Sequence, residues 1–186
     1  MKITLAKTAG FCFGVNRAVN MVYELLEKGE KVCTLGPIIH NPQLVEELKE
    51  KGVRIVESPD EVKDGEILVI RSHGVGLDVI NKANELNTKI ADATCPFVSK
   101  IHKIVNENSK AGYVTIIAGD RFHQEVKGII GHCEGEYHVV SGTEELEKLL
   151  ENQENFGEKP LILVSQTTFN AKIWENTQKN LKKVCT

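Results

Sequence analysis

Short apolar runs alternate with amphipathic stretches along almost the whole chain. Runs such as KVCTL and EILVI predict strands, while VNRAVNMVYELLEKG carries apolar residues at helical spacing and ends at a glycine. Asn41 before Pro42 is a typical helix start, and Gly52 ends the helix that follows. Because strands and helices alternate, the sequence predicts an α/β fold with mostly parallel sheets.

The second half of the chain repeats the pattern of the first. VCTLGPIIH and VTIIAGDRFH are each a strand followed by a loop that ends in histidine, and His40 and His123 are 83 residues apart. EILVIRSHG and PLILVSQTT match in the same way, with His73 and Thr167 94 residues apart because ENQENFGEK lengthens the second copy. We therefore predict two repeated small parallel-sheet α/β domains, residues 1–96 and 97–186.

Composition excludes several classes of protein. A net charge of −3 over 186 residues argues against a nucleic-acid binder that neutralises phosphates. No apolar run approaches the ~20 residues that span a bilayer, and the N-terminus lacks a signal-peptide pattern. We expect a cytoplasmic protein that uses neither nucleic acid nor membrane. Five cysteines without a CxxC pair do not suggest a disulfide framework or a zinc ribbon.

Two of the cysteines share a sequence context. Cys12 and Cys95 each come directly before a predicted helix, whose free N–H groups stabilise a thiolate, the form that binds iron or zinc. A structural interpretation stays open for each: Cys12 as a small buried residue beside a turn, and Cys95 as a helix cap. Cys33 lies in an apolar strand and is expected in the core, and Cys133 is expected to be structural.

Three histidines follow predicted strands. His40, His73 and His123 should lie at the carboxyl edges of parallel sheets, where α/β proteins bind ligands. These loops contain no lysine, so an anion site here would use histidine, hydroxyl and backbone donors, which suits a phosphate or diphosphate. Glu125 is the carboxylate among them and is the natural proton donor. The other three histidines, at 102, 132 and 138, fall in ordinary helix or strand patterns.

These motifs together resemble a known family. GFCFGVNRAV, GPIIHNPQLVEEL, RSHGV, DATCPFV, HQEVKG and SQTT occur in the order and at the spacing of the 4-hydroxy-3-methylbut-2-enyl diphosphate reductase family, the LytB family. The resemblance covers essentially the whole chain, and GFCFGV together with DATCP is highly specific.

The resemblance implies an enzyme with a [4Fe–4S] cluster held by three cysteines, with one iron open to the substrate hydroxyl. The matching positions are Cys12 and Cys95 for the cluster, His40, His73 and His123 for the diphosphate, Glu125 for proton delivery, and Thr167 for a hydroxyl near the substrate. The implied reaction is the two-electron reductive dehydroxylation of an allylic diphosphate to isopentenyl and dimethylallyl diphosphate. A ferredoxin or flavodoxin would supply the electrons. An open iron is the Lewis acid that cleavage of a C–OH bond needs.

The chain departs from the family pattern at its end. Family members continue into a third α/β domain that carries the third cysteine ligand, and the repeat would put a counterpart of Cys95 just beyond residue 186. Cys185 lacks the polar turn and following helix seen at Cys12 and Cys95. We therefore expect the first two domains of a longer enzyme, which alone should hold a cluster poorly and should not turn over.

Two other functions stay open at this point. Another radical-forming iron–sulfur enzyme, as in the diphthamide-synthesis family, also gathers one cysteine from each of three α/β units. The other is a diphosphate-binding module without redox activity.

Overall fold

We describe a computed structural model of the chain. It describes residues 3–4, 6–7, 9–151, 156 and 158–184, with side chains as far as residue 179. Within these residues, no helix is both long enough and apolar enough to cross a membrane. Cys185 lies outside the described residues.

The chain divides into two compact units. The first unit comprises Met1–Ser72 and Lys82–Pro96, and the second comprises His73–Asn81 and Phe97–Thr186. Residues 73–81 therefore cluster with the second unit, although the sequence repeat assigns them to the first predicted domain.

The elements follow one another as strand and helix throughout. In chain order they are α1 (Phe13–Glu27), β1 (Lys31–Leu35), α2 (Pro42–Glu50), β2 (Arg54–Val56), a 3-10 turn (Pro59–Glu61), β3 (Glu66–Ile70), α3 (Leu77–Glu85), β4 (Lys89–Asp92), α4 (Pro96–Lys110), β5 (Val114–Ala118), α5 (Gln124–Ile130), β6 (Tyr137–Val140), α6 (Thr143–Glu151), β7 (Leu161–Ser165) and α7 (Ala171–Val184).

The first unit is built on a four-stranded sheet with the order β2-β1-β3-β4, in which every pair is parallel. All five residues of β3 are buried, as expected for a central parallel strand that is covered on both faces. Ala18, Val19 and Val22 form the apolar stripe of α1 and pack with Val32 of β1 in one core cluster.

The second unit repeats this arrangement with the order β6-β5-β7, again all parallel. Neighbouring residues of β5 face opposite sides of the sheet. Ile116 packs in a cluster with Leu146 of α6, while Ile117 packs in another with Val126 of α5. Helices therefore cover both faces of this sheet.

The predicted fold class is confirmed. The order β2-β1-β3 in the first unit corresponds to β6-β5-β7 in the second, so the repeat seen in the sequence is a repeat of topology. Asn41 caps α2, because its Oδ1 accepts a hydrogen bond from the Leu44 N–H at 3.0 Å. Cys33 is buried in β1, as predicted.

Candidate functional site

Cys12 is the residue that precedes the first turn of α1. Its backbone carbonyl accepts the first helical hydrogen bond from the Asn16 N–H at 2.9 Å, while its thiol makes no capping bond and is exposed. The Asn16 side-chain amide donates to the Phe11 carbonyl at 2.9 Å, which fixes the loop on the other side of the cysteine. The loop is thus held by its backbone, and the sulfur is left available to a ligand.

Cys95 is held in a tight turn between β4 and α4. The Asp92 carboxylate accepts a hydrogen bond from the Thr94 N–H at 2.8 Å, and the Cys95 N–H donates to the Ser72 carbonyl at 2.9 Å. Pro96 then takes the first helical position, where its missing N–H costs nothing.

Arg17 fixes the turn that carries Cys95, and sequence reasoning missed it. Its guanidinium donates to the Thr94 carbonyl at 3.1 Å and to the Asp92 carbonyl at 3.2 Å. Arg17 lies in α1, five residues after Cys12, so the helix that begins at one cysteine also holds the turn that carries the other. Nothing in the local pattern of GFCFGVNRAV indicates a contact with residues more than 70 positions away.

Gly14 lies against the second cysteine. A Cβ atom on Gly14 would lie 2.6 Å from the Cys95 Sγ, much closer than van der Waals contact. Glycine at this position therefore allows the start of α1 to approach the Cys95 thiol.

Both thiols are suitable ligands for an iron–sulfur cluster. They are free, they belong to the first unit, and each precedes a helix of 15 residues. Thiolates are the ligands that iron–sulfur clusters take, and helix N-termini stabilise them. Cys12 and Cys95 therefore fit two of the three cysteine ligands that the family resemblance implies.

His40 belongs to the first unit and follows β1. It stands directly before Asn41, the cap of α2, and its side chain is exposed. Because β1 ends at Leu35, His40 comes from the carboxyl end of a central strand of the sheet.

His73 and His123 meet within the second unit. Their ring centroids are 5.4 Å apart and the rings are nearly perpendicular, at 84°. Both rings are half-buried. The sequence repeat assigned these residues to different predicted domains. In the structure, residues 73–81 belong to the second unit, which also contains His123.

The hydrogen bond at the start of α5 settles which nitrogen of His123 can donate. The Glu125 N–H donates to His123 Nδ1 at 3.1 Å. A ring nitrogen that accepts carries no proton, so in the neutral ring the proton is on Nε2. Nε2 is then the atom of His123 that can donate to an anion.

Glu125 is bound by Thr167 on both of its carboxylate oxygens. The Thr167 N–H donates to Oε1 at 2.6 Å, and the Thr167 hydroxyl donates to Oε2 at 2.8 Å. Glu125 is only 1% exposed. Since β5 and β7 are neighbours in the sheet, the loops after them bring the carboxylate and the hydroxyl together.

Gln166 joins the same two loops and was also missed in the sequence. Its side-chain carbonyl accepts from the Asp120 N–H at 3.1 Å, and its amide donates to the Thr168 hydroxyl at 2.8 Å. It is 8% exposed. A polar residue directly after β7, inside the SQTT motif, is the signal that could have indicated it.

Among the described residues, Cys133 and the histidines at 102, 132 and 138 make other contacts. Cys133 Sγ lies 3.6 Å from the Thr115 hydroxyl and is held at the edge of the second core. His138 Nε2 lies 3.1 Å from a carboxylate oxygen of Glu136, and the rings of His102 and His132 stack with centroids 4.1 Å apart.

Known proteins match this chain along nearly its full length. A family model described as LytB protein matches residues 3–186. The chain belongs to the LytB family. The sequence resemblance to this family is therefore confirmed.

Curated LytB relatives carry one enzyme name. The 4-hydroxy-3-methylbut-2-enyl diphosphate reductase of Caldanaerobacter subterraneus subsp. tengcongensis is 45% identical over 186 residues, which cover 98% of this chain and 62% of that protein. The reductase of Clostridioides difficile with the same name is 42% identical over 175 residues, covering 94% of this chain and 61% of that protein. The chain thus spans about 60% of the length of these relatives.

Two solved structures of LytB-type reductases share the fold. The E-1-hydroxy-2-methyl-but-2-enyl-4-diphosphate reductase from Plasmodium falciparum matches with a TM-score of 0.84 and 30% identity, over 95% of this chain and 55% of that chain. An (E)-4-hydroxy-3-methyl-but-2-enyl diphosphate reductase, described as the terminal enzyme of the non-mevalonate pathway, matches with a TM-score of 0.80 and 36% identity. That match covers 97% of this chain and 63% of the other.

Proposed function

We propose that this chain is part of a 4-hydroxy-3-methylbut-2-enyl diphosphate reductase. It supplies histidines that bind the diphosphate, the carboxyl group that donates a proton, and two of the three cysteines that bind the cluster. The observation that carries the proposal is the buried Glu125–Thr167 pair, which lies in the same unit as the His73–His123 pair, with Glu125 two residues after His123. In the reaction the substrate gains two electrons and two protons, its C–OH bond breaks, and water leaves. The products are isopentenyl and dimethylallyl diphosphate.

The histidines bind the diphosphate in this proposal. His123 donates from Nε2, since its Nδ1 is used by the Glu125 N–H. His73 stands beside it, and His40 contributes from the loop after β1. Imidazole N–H groups are suitable donors to phosphate oxygens.

Glu125 delivers the proton to the departing hydroxyl. Glu125 is only 1% exposed, so the acid is shielded from bulk water. The Thr167 hydroxyl and N–H hold both carboxylate oxygens, which fixes the direction in which the acid points. Thr167 is therefore both a positioning group for Glu125 and a hydroxyl close to the substrate.

Cys12 and Cys95 hold two corners of a [4Fe–4S] cluster in this proposal. When bound, such a cluster supplies electrons and one open iron that acts as a Lewis acid on the substrate oxygen. Arg17 holds the turn that carries Cys95, and Gly14 allows the start of α1 to approach its thiol. The third thiolate comes from outside residues 1–186, as the family pattern implies. A ferredoxin or flavodoxin in the cytoplasm is the electron donor.

Anaerobic loading with iron and sulfide tests the proposal. The chain should take up less than one cluster per molecule, and the EPR spectrum of what it holds should change when the allylic diphosphate is added. Cys12→Ser and Cys95→Ser should abolish the uptake, and Cys133→Ser, whose thiol contacts Thr115, is the matched control. A cluster whose spectrum ignores the diphosphate would contradict the reductase. Calorimetric binding of the diphosphate to a chain that takes up no iron would favour a binding module.

A further inference from the structure

The segment from His73 to Leu77 belongs to the second unit and packs there on the end of α5. The Leu77 N–H donates to the Gly131 carbonyl at 3.1 Å. His132 Nε2 lies 3.1 Å from the Val75 carbonyl oxygen. Two hydrogen bonds therefore hold this segment to the residues that follow α5.

Glycines allow the backbones to touch at this contact. A Cβ atom on Gly76 would lie 3.0 Å from the Gly131 Cα, and a Cβ on Gly131 would meet the Gly76 Cα more closely still. Gly128, one turn earlier in α5, lies beneath the segment as well, since a Cβ there would be 3.4 Å from the His73 carbonyl oxygen. Neither Gly76 nor Gly131 can be replaced by a larger residue without moving one of the two backbone segments.

The ring of His132 is fixed in a single orientation. A carbonyl oxygen can only accept, so His132 Nε2 carries the proton and donates to Val75. The ring stacks on His102 at 4.1 Å with 21° between the planes, and His102 is buried in α4. The Asn106 side-chain amide donates to the His132 carbonyl at 3.1 Å, which fixes the backbone of His132 too.

His123 and His132 therefore flank the same helix, α5. His123 caps the start of α5, and His132 lies two residues beyond its end. The segment that carries His73 is bound at Val75 and Leu77 by residues after α5, and His73 lies beside His123.

We propose that His132 is a positioning residue for diphosphate binding, which holds His73 beside His123 through its hydrogen bond to the Val75 carbonyl. The proposal rests on the proposed function in one respect, namely that His73 and His123 bind the diphosphate. The placement of His73 by His132 does not depend on the proposed function and can be measured without any ligand.

The test compares two substitutions of His132 in the 186-residue chain. His132→Phe keeps a ring to stack on His102 and removes the donor, whereas His132→Gln keeps an N–H group at the position of Nε2. NOEs between the His73 and His123 rings, assigned with His73→Asn and His123→Asn, report their distance in the free protein. Calorimetry with the allylic diphosphate reports binding. His138→Gln is the matched control, because His138 contacts Glu136 and no residue of this arrangement.

We expect His132→Phe to lose the NOE between the rings and to bind the diphosphate roughly 5- to 10-fold more weakly, the effect of about one hydrogen bond. His132→Gln and His138→Gln should keep both. If His132→Phe fails to fold, His132→Asn, whose shorter amide cannot reach Val75, takes its place with the same expectation.

An unchanged NOE and unchanged binding in the folded donor-free variant would overturn the proposal, as would an equal loss in His132→Gln. If the unsubstituted chain shows the NOE but binds no diphosphate, the proposed function fails. The NOE comparison then still decides whether His132 places His73.

Discussion

The Glu125 carboxylate and Thr167 are joined by two hydrogen bonds, one from the backbone N–H and one from the hydroxyl of the threonine. The pair joins the first turn of α5 to the loop after β7, and its two residues are 42 positions apart in sequence. An acid that is fully buried and held at both oxygens is oriented before any substrate arrives.

Thr167→Val removes the hydroxyl donor and keeps the shape of the side chain. The carboxylate oxygen of Glu125 then loses a partner in a buried setting, so we expect the free energy of unfolding to fall by about 1–3 kcal/mol. Urea unfolding measures this loss. Thr167→Ser retains the hydroxyl and should lose much less, and equal stability of the valine variant and the original chain would contradict the geometry.

Gly14→Ala should destabilise the fold, although the same substitution in most helices stabilises it. Glycine to alanine within a helix normally stabilises by up to about 1 kcal/mol. Here the added Cβ would lie 2.6 Å from the Cys95 Sγ, so we expect a loss of about 1–3 kcal/mol and lower iron uptake. Asn20→Ala, on the exposed face of the same helix, is the control. A more stable Gly14→Ala chain would show that the approach of α1 to Cys95 is wrong.

Cys12 and Cys33 should differ in their rates of alkylation. Burial, followed by the nearby charge of Glu66, raises the pKa of the Cys33 thiol to about 11, whereas Cys12 is exposed. At pH 8, iodoacetamide should therefore modify Cys12 and leave Cys33 unmodified in the folded chain, with peptide mass spectrometry as the readout. Both should react in denaturant. Early modification of Cys33 in the native chain would contradict its place in the core.

The ion pair of Glu66 and Arg54 predicts an acid dependence of stability. Burial of Glu66 opposes its ionisation, but the Lys63 N–H at 2.9 Å and the Arg54 guanidinium at 2.6 Å outweigh it, so the pKa of Glu66 is lowered. A lowered carboxyl pKa stabilises the fold above the ordinary value of about 4.3, and this contribution is lost as the pH falls through the lowered value.

Glu66→Gln should therefore be less stable than the original chain at pH 7, by about 1–3 kcal/mol, and the difference should shrink as the pH falls through the lowered pKa of Glu66. Chemical unfolding at each pH measures it. Glu46→Gln, which removes only an exposed pair with Lys49, should show almost no difference at any of these pH values. A constant difference for Glu66→Gln would show that its charge is not involved.

Local patterns were sufficient to predict the fold. The apolar run KVCTL gave β1 its observed bounds, and Asn41 with Pro42 gave the start of α2, because strand burial and helix capping depend on residues close in sequence. One predicted element differs in detail: the helix predicted over VNRAVNMVYELLEKG begins two residues earlier, at Phe13, because Cys12 takes the position before it.

The supports of the candidate site could not be predicted in this way. Arg17 contacts carbonyls about 75 residues away, and His132 contacts a carbonyl 57 residues away, so neither contact has a local signature. His132 was assigned an ordinary role for that reason. The strand ends were predictable because parallel strands share a carboxyl edge, but the side chains that hold the loops in place depend on tertiary packing.

Turnover by a chimera tests the central claim most directly. This chain would replace the matching residues of the Caldanaerobacter reductase, to which it is 45% identical, and the loaded protein would be assayed anaerobically with a one-electron donor and the allylic diphosphate. We predict conversion to isopentenyl and dimethylallyl diphosphate, abolished by Cys12→Ser and reduced about 10²- to 10⁴-fold by Glu125→Gln. A folded, cluster-loaded chimera that converts no more substrate than its Glu125→Gln variant would contradict the account.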